Sequence, residues 1–154
     1  MASLKVDFPD DFTNRITRLG DQTDAIIGKA LEAGGDVVLG AARSNLSAVI
    51  GSNLEYEKRS TGELLSSLGV SSVDIDRKGN PNVRVGFNEP RRVQTAAKGK
   101  RSYHVATNAM IANVLEYGRH GKSGKPFMKP AKISSRGRCE SVMKDVLERE
   151  MGAI

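Results

Sequence analysis

The sequence has a single cysteine, two histidines and no tryptophan among its 154 residues. One cysteine, Cys139, excludes an internal disulfide and a zinc site built from cysteines, and the two histidines are not spaced as a metal-binding pair. Aromatic residues make up only 5% of the chain, which leaves few side chains to stack on bases or on a cofactor. We therefore expect an aliphatic core, no metal and no cofactor.

Long hydrophobic runs are also absent. No stretch approaches the ~20 apolar residues that span a bilayer, and residues 1–7 lack the basic and then apolar layout of a signal peptide. The sequence therefore predicts a soluble cytoplasmic protein that does not contact membranes. Its length suits one ordinary domain, which we place over residues 1–154.

The positive charge is concentrated in one stretch. Residues 88–138 carry 12 basic and 2 acidic side chains, while the whole chain has a net charge of +6. Such a stretch predicts a polyanion or an acidic protein surface as its partner, and the alternative is a solvated basic loop. The cations proposed to face a partner subunit or DNA are Arg91, Arg92, Lys98, Lys100, Arg101, Arg119, Lys122 and Lys125.

Residues 12–53 have the spacing of a long amphipathic helix. The positions on its apolar stripe are Phe12, Ile16, Leu19, Thr23, Ile26, Ala30, Ala33 and Val37. Glycine costs about 1 kcal/mol relative to alanine inside a helix, so we expect a break or kink near Gly34 and Gly35. The small residues of this segment predict close packing against the core or against another subunit. Residues 1–11 are predicted to form a loosely ordered lead.

The middle of the chain predicts a short helical turn followed by a β-hairpin. Ser60 and Glu63 have the spacing of a capping box. Residues 70–76 and 82–87 then alternate in polarity on either side of a turn. The buried face is predicted to hold Val73 and Ile75 from the first strand and Val83, Val85 and Phe87 from the second.

The second half of the chain predicts a loop and two helices. Residues 88–102 contain almost no apolar anchor and are expected to be mobile. A helix is predicted from Tyr103 to Tyr117, ended by Gly118, and a glycine-rich basic loop follows over residues 119–125. The last amphipathic helix begins after Pro126. Together these elements predict an α+β fold in which helices cover a small antiparallel sheet.

Catalytic motifs are weak in this sequence. His104 and His120 are candidates for acid-base chemistry, and Glu116 or Glu89 could pair with one of them. No triad, HExxH or paired-carboxylate motif accompanies them, and residues 121–125 lack the spacing of a phosphate loop. Cys139 is interpreted as a small buried hydrophobe. We therefore expect no catalytic site, and the histidines are predicted to be structural or exposed.

Three segments, in order, resemble a known family. They are Thr61-Gly62-Glu63-Leu64-Leu65-Ser66-Ser67-Leu68, Ile111-Ala112-Asn113-Val114-Leu115-Glu116-Tyr117-Gly118 and Pro126-Phe127-Met128-Lys129-Pro130-Ala131. Together they resemble the neck and minor tail-component proteins of long-tailed bacteriophages. The resemblance gives eight residues a role in making the fold. They are Thr61, Gly62, Leu64, Glu116, Gly118, Pro126, Phe127 and Pro130.

The resemblance implies a non-catalytic virion protein, assembled in the host cytoplasm and joining head to tail. It implies a homo-oligomeric ring, with six-fold symmetry favoured over twelve-fold. Its partners would be head-closure, tail-terminator or tail-tube proteins, and the packaged DNA end could be contacted without sequence specificity. The residues themselves predict that Glu116 holds nearby amides, an arginine such as Arg119, or a lysine or arginine of a neighbouring subunit. The alternative function is a small basic nucleic-acid-binding protein.

Overall fold

The computed structural model of the protein describes residues 3–7, 22–50, 62–88, 94–95, 104–105 and 107–152. The elements, in chain order, are β1 (Leu4–Asp7), α1 (Thr23–Ile50), α2 (Glu63–Ser67), β2 (Leu68–Val70), β3 (Asp74–Ile75), β4 (Pro81–Phe87), β5 (Gln94–Thr95), β6 (His104–Val105), α3 (Asn108–Tyr117), β7 (Gly118–Arg119), β8 (Lys122–Ser123) and α4 (Met128–Gly152). Helices packed on a small antiparallel sheet confirm the predicted α+β fold.

The two long helices, α1 and α4, run antiparallel and form most of the core. At one end Lys29 Nζ lies 2.7 Å from a carboxylate oxygen of Glu150, and at the other Asn45 Nδ2 donates to the carbonyl of Phe127. The apolar positions recur every three or four residues, so each helix buries one stripe. The buried apolar residues of α1 are Ile26, Ile27, Ala30, Leu31, Val38, Ala42 and Leu46, and those of α4 are Met128, Ala131, Cys139, Met143, Val146 and Leu147.

Helix α1 is continuous through Gly34 and Gly35, so the predicted break is wrong. A side chain at Gly34 would stand 2.6 Å from Cγ of Met143, and one at Gly35 would stand 2.9 Å from a methyl of Val70. The two glycines therefore let α4 and the sheet approach the helix closely, and the resulting packing offsets their low helix propensity. Residues 12–21 and 51–53 of the predicted helix lie outside the described residues.

Strand β4 is the centre of the main sheet, which has the order β1-β4-β2 with β3 also paired to β4. Val83 and Val85 are fully buried on its inner face. Leu68 pairs with Phe87 and Val70 with Val85. The predicted loose lead is wrong at Leu4–Asp7, because this segment pairs with β4 and buries Val6.

The predicted hairpin is present between β3 and β4, but its first strand is mostly solvent-exposed. Ile75 pairs with Pro81 at the end of the ladder, and 64% of its surface is accessible. Val73 is also exposed. Their predicted placement on the buried face is wrong, because β2 and not β3 pairs with the part of β4 that the helices cover.

The segment after β4 differs from its prediction in two ways. Within the expected mobile loop, Gln94–Thr95 pair with His104–Val105, and residues 89–93 and 96–102 lie outside the described residues. The helix expected from Tyr103 begins only at Asn108, where the Thr107 hydroxyl accepts from the amide of Met110. A threonine whose side chain can cap the first turn is a common helix start.

Candidate assembly surface

Glu116 joins the end of α3 to the start of α4. Its carboxylate is buried and accepts hydrogen bonds from three backbone amides. Oε2 lies 2.8 Å from the amide nitrogen of Phe127 and 2.9 Å from that of Met128, and Oε1 lies 2.9 Å from that of Lys129. These amides form the first turn of α4, where a negative charge is favourable.

The prediction that Glu116 holds nearby amides is confirmed. The named alternative, Arg119, is wrong as its partner, because Arg119 is exposed on β7 and makes no ion pair within the described part of the chain. Sequence reasoning missed that the donors come from the Pro126–Pro130 segment. The two motifs therefore describe one junction, which we call the α3–α4 corner.

Two glycines let the backbone cross itself at the α3–α4 corner. Gly118 has φ of +85°, and a side chain there would stand 2.5 Å from the carbonyl oxygen of Lys122. A side chain at Gly124 would stand 2.5 Å from the carbonyl oxygen of Glu116. The amide of Lys125 donates to the carbonyl of Leu115 at 2.7 Å. Glycine is needed at Gly118 because of both its positive φ and the nearby carbonyl oxygen, and at Gly124 because of the nearby carbonyl oxygen.

The basic loop predicted over residues 119–125 is a tight hairpin. Strands β7 and β8 pair Gly118 with Ser123 and Arg119 with Lys122. His120 and Gly121 form its turn, and Gly121 has φ of +78°. The sequence signal for this hairpin is Gly121, because two-residue hairpin turns favour glycine. The prediction missed it.

The remaining motif residues also support the fold. Phe127 is fully buried, and its ring packs edge-on against Phe87 with 6.0 Å between the centroids. Leu64 is buried, and Gly62 precedes α2 with φ of +72°. Pro126 is exposed before α4, and Pro130 lies in its first turn, where no intrahelical amide donor is needed. Thr61 and Ser60 lie outside the described residues.

An exposed apolar surface adjoins this corner. Met110, Val114 and Tyr117 lie along one side of α3 and are 56%, 42% and 79% exposed. Ile133 on α4 is 70% exposed. Tyr117 and Ile133 line a cleft of about 420 Å³ together with Lys129 and Lys132. We call the surface formed by Met110, Val114, Tyr117, Lys129, Lys132 and Ile133 the apolar-basic face.

The charged residues of the chain segment that follows α3 share one sign. Residues 119–138 contain seven lysines and arginines and no aspartate or glutamate. The structure exposes the predicted candidates Arg119, Lys122 and Lys125 on the β7–β8 hairpin. The other predicted candidates, Arg91, Arg92, Lys98, Lys100 and Arg101, lie outside the described residues.

Among the groups considered for chemistry, Glu89 lies outside the described residues. Cys139 is buried against α1, as predicted, and burial raises the pKa of its thiol. His120 is exposed in the hairpin turn, and His104 lies in β6. Within the residues that the structure describes, no group of three acidic, histidine or cysteine side chains could hold a metal ion. No helix in the same part of the chain is long and apolar enough to span a membrane.

One family model matches the chain. It is described as "Bacteriophage HK97-gp10, putative tail-component" and matches residues 10–118, which is more than half of the chain. The match includes the predicted motif around Gly62 and the end of α3 with Glu116 and Gly118. No curated protein and no solved structure matches the chain.

Proposed function

The chain belongs to the HK97-gp10-like family of bacteriophage tail components, and from this premise we propose that it is a ring-forming subunit of the neck. In this role it completes the tail or joins it to the closed head. It is a virion protein, and its assembly takes place in the host cytoplasm. Its partners are copies of itself and the head-closure, tail-terminator or tail-tube proteins of adjacent layers.

The observation that carries this proposal is the apolar-basic face. Within the residues that the structure describes, four large apolar side chains are 42% to 79% exposed, and two of them share a cleft with lysines that make no ion pair. Exposed apolar surface with a charged rim is typical of protein interfaces. The α3–α4 corner holds this surface rigidly, because Glu116 and the glycine crossing fix the relative positions of its two helices. A rigid subunit with a preformed contact surface suits a ring.

The test is deletion of the gene from a phage that carries it. If the proposal is right, infected cells will accumulate DNA-filled heads and complete tails that are not joined, and expression of the wild-type chain will restore joined particles. Gold-labelled antibody should mark the junction between head and tail. Labelling along the whole tail tube or at its distal tip would contradict the neck role and would leave the assignment as a tail component intact.

The alternative, a small basic nucleic-acid-binding protein, is supported by the seven cations of residues 119–138. Cations alone bind DNA without sequence preference and with strong salt dependence. Binding of duplex DNA that persists at 0.15 M salt in the isolated chain would favour this reading. We expect instead that any such binding is weak, because the exposed apolar side chains of Tyr117 and Ile133 share a cleft with two of these cations, Lys129 and Lys132.

We also propose that the protein has no catalytic activity. Glu116 is the one buried carboxylate near the apolar-basic face, and three amides saturate it, so it is poorly placed to exchange protons with a substrate. Purified protein should cleave neither nucleic acid nor cell-wall polymers. Cleavage that is lost in His120→Ala or His104→Ala would overturn this proposal.

A further inference from the structure

The apolar-basic face has the composition of a contact surface but no partner within the described residues. Tyr117 and Ile133 line one cleft, and Lys129 and Lys132 line it with them. Neither lysine makes an ion pair with any residue that the structure describes. A protein surface that is complementary to this face would place carboxylates against the two lysines. It would place small, uncharged residues against Tyr117 and Ile133.

The exposed side of α1 offers such a surface. Glu32, Asp36 and Gly40 follow one another at intervals of four residues, so they lie on one side of the helix. Glu32 and Asp36 are exposed and make no ion pair within the described ranges. Beyond Gly40 this side continues with the small residues Ser44 and Ser47 and with Arg43, all exposed, and the Arg43 guanidinium donates to the carbonyl of Leu68. We call this surface the α1 acidic face.

Gly40 makes no close packing contact with the part of its own chain that the structure describes. Gly34 and Gly35 are needed for close packing, whereas a side chain at Gly40 would meet nothing within 4 Å. A helical glycine lowers stability by about 1 kcal/mol relative to alanine. Close approach by a neighbouring molecule is a physical reason for glycine at this position.

The two faces cannot meet within one chain. Gly34, next to the acidic residues, packs against Met143 of α4. Lys132 precedes Met143 by eleven positions, and at about 1.5 Å per residue this separates the two levels by roughly 16 Å along α4. Each lysine is therefore beyond ion-pair distance of Glu32 and Asp36 in its own subunit, so an ion pair between these lysines and these two acids must join two copies.

We propose that the apolar-basic face of one copy binds the α1 acidic face of a second copy. Lys129 and Lys132 would face Glu32 and Asp36, while Tyr117 and Ile133 would lie over the low surface around Gly40. The inference rests on the proposed ring and names its contact. Two different faces of the same chain make a heterologous interface, and such interfaces close into rings when the rotation between neighbours allows it.

The experiment is a charge exchange between two variants of the full chain. The first carries Lys129→Glu and Lys132→Glu, and the second carries Glu32→Lys and Asp36→Lys. Each variant alone brings like charges together at the contact, so self-association should weaken by about tenfold or more. An equimolar mixture restores opposite charges at every contact and should recover most of the wild-type association. Sedimentation velocity at 0.05 M and 0.15 M salt measures both effects.

Matched controls separate this contact from net charge. Arg77→Glu with Lys78→Glu reverses two exposed cations in the β3–β4 turn, and Asp145→Lys with Glu148→Lys reverses two exposed acids on α4. Both controls should associate like the wild type. Gly40→Leu should also weaken association without lowering the midpoint of thermal unfolding, because a Cβ at this exposed position meets nothing within 4 Å in the described part of its own subunit.

The outcomes distinguish this contact from the proposed function. Recovery of association in the mixture supports the contact. Association that is unchanged in both charge variants, or lost in both and not recovered on mixing, overturns it. A wild-type chain that stays monomeric up to millimolar concentration also overturns it. None of these results affects the neck role, which is decided independently by the unjoined heads and tails of the gene deletion.

Discussion

Helix α4 has two junctions with the rest of the protein, and they are held by opposite kinds of contact. Along its length it packs on α1 through apolar side chains, with Met143 and Cys139 against Gly34. At its N-terminus it meets α3 through the carboxylate of Glu116 and backbone atoms that cross at Gly118 and Gly124. The first junction tolerates small adjustments of side chains, whereas the second has no freedom to adjust.

This difference is visible in two of the three short motifs of the sequence, which lie at the second junction. Side-chain packing needs only apolar residues at a helical period, and many sequences satisfy it. A carboxylate that accepts hydrogen bonds from three amides needs one residue type at one position. The same holds for each glycine at which the backbone crosses itself. The α3–α4 corner therefore leaves short, recognisable motifs, while the helix pair leaves only a pattern.

The largest effect is expected when the backbone crossing is blocked. Gly118→Ala adds a Cβ 2.5 Å from a carbonyl oxygen at φ of +85°, and the combined strain and overpacking should cost about 3 kcal/mol or more of unfolding free energy. Gly121→Ala is the matched control, with φ of +78° and nothing within 4 Å. It should cost only about 1–2 kcal/mol. Urea denaturation measures both, and equal losses would show that the crossing is unimportant.

Removing the charge of Glu116 should have the next largest effect. Glu116→Gln keeps the shape but turns an NH2 group toward backbone donors, which leaves buried hydrogen bonds unmade at a cost of about 1–3 kcal/mol. Glu140→Gln is the control, since this carboxylate is exposed and pairs only with Arg136 at a spacing of four residues. It should change stability by less than about 0.5 kcal/mol. If both variants unfold at the same denaturant concentration, the corner does not depend on the carboxylate.

Alanine substitutions at two glycines of α1 test the side-chain junction between α1 and α4. Gly34→Ala places a methyl 2.6 Å from Cγ of buried Met143, so Met143 must shift and stability should fall by about 1–2 kcal/mol. Gly40→Ala meets nothing and should raise the stability of the monomer by about 0.5–1 kcal/mol. Opposite signs in thermal unfolding of dilute protein would confirm that only Gly34 is a packing position. A loss of stability in both would contradict this.

The sequence predicted the α+β class, the two long helices and β4 because their apolar periods extend over many residues. It failed where short segments depend on distant partners. Leu4–Asp7 is a strand only because β4 lies beside it, and Gly34 and Gly35 stay helical only because α4 and the sheet pack against them. None of these partners is visible in the local pattern.

For the candidate assembly surface, the sequence located the basic stretch and the importance of Glu116 and Gly118. It could not show that Glu116 caps α4, since the two segments are joined by a hairpin that it did not predict. Nor could it show that Tyr117 and Ile133 share a cleft, because they lie on different helices. Surfaces that combine several elements depend on their relative placement, which periodicity does not report.

The smallest effect is expected at Asp76. Its carboxylate accepts hydrogen bonds from backbone amides in an exposed turn, whereas that of Glu116 does so in a buried corner. A hydrogen bond from the amide of Asn80, together with bonds from Lys5 and from the amide of Lys78, lowers the pKa of Asp76 from 3.8 to about 2. A lowered pKa in the folded state means that this group stabilises the fold above about pH 4, and that its contribution is lost as the pH falls toward 2. Asp76→Asn should therefore unfold at a lower temperature than the wild type at pH 5, and the difference should shrink at pH 2. Because the Asn80 amide is the main cause, Lys5→Met should keep most of the wild-type dependence on pH. If the unfolding midpoint of Asp76→Asn falls with pH as much as that of the wild type, the turn carboxylate, unlike Glu116 in the corner, contributes nothing to the fold.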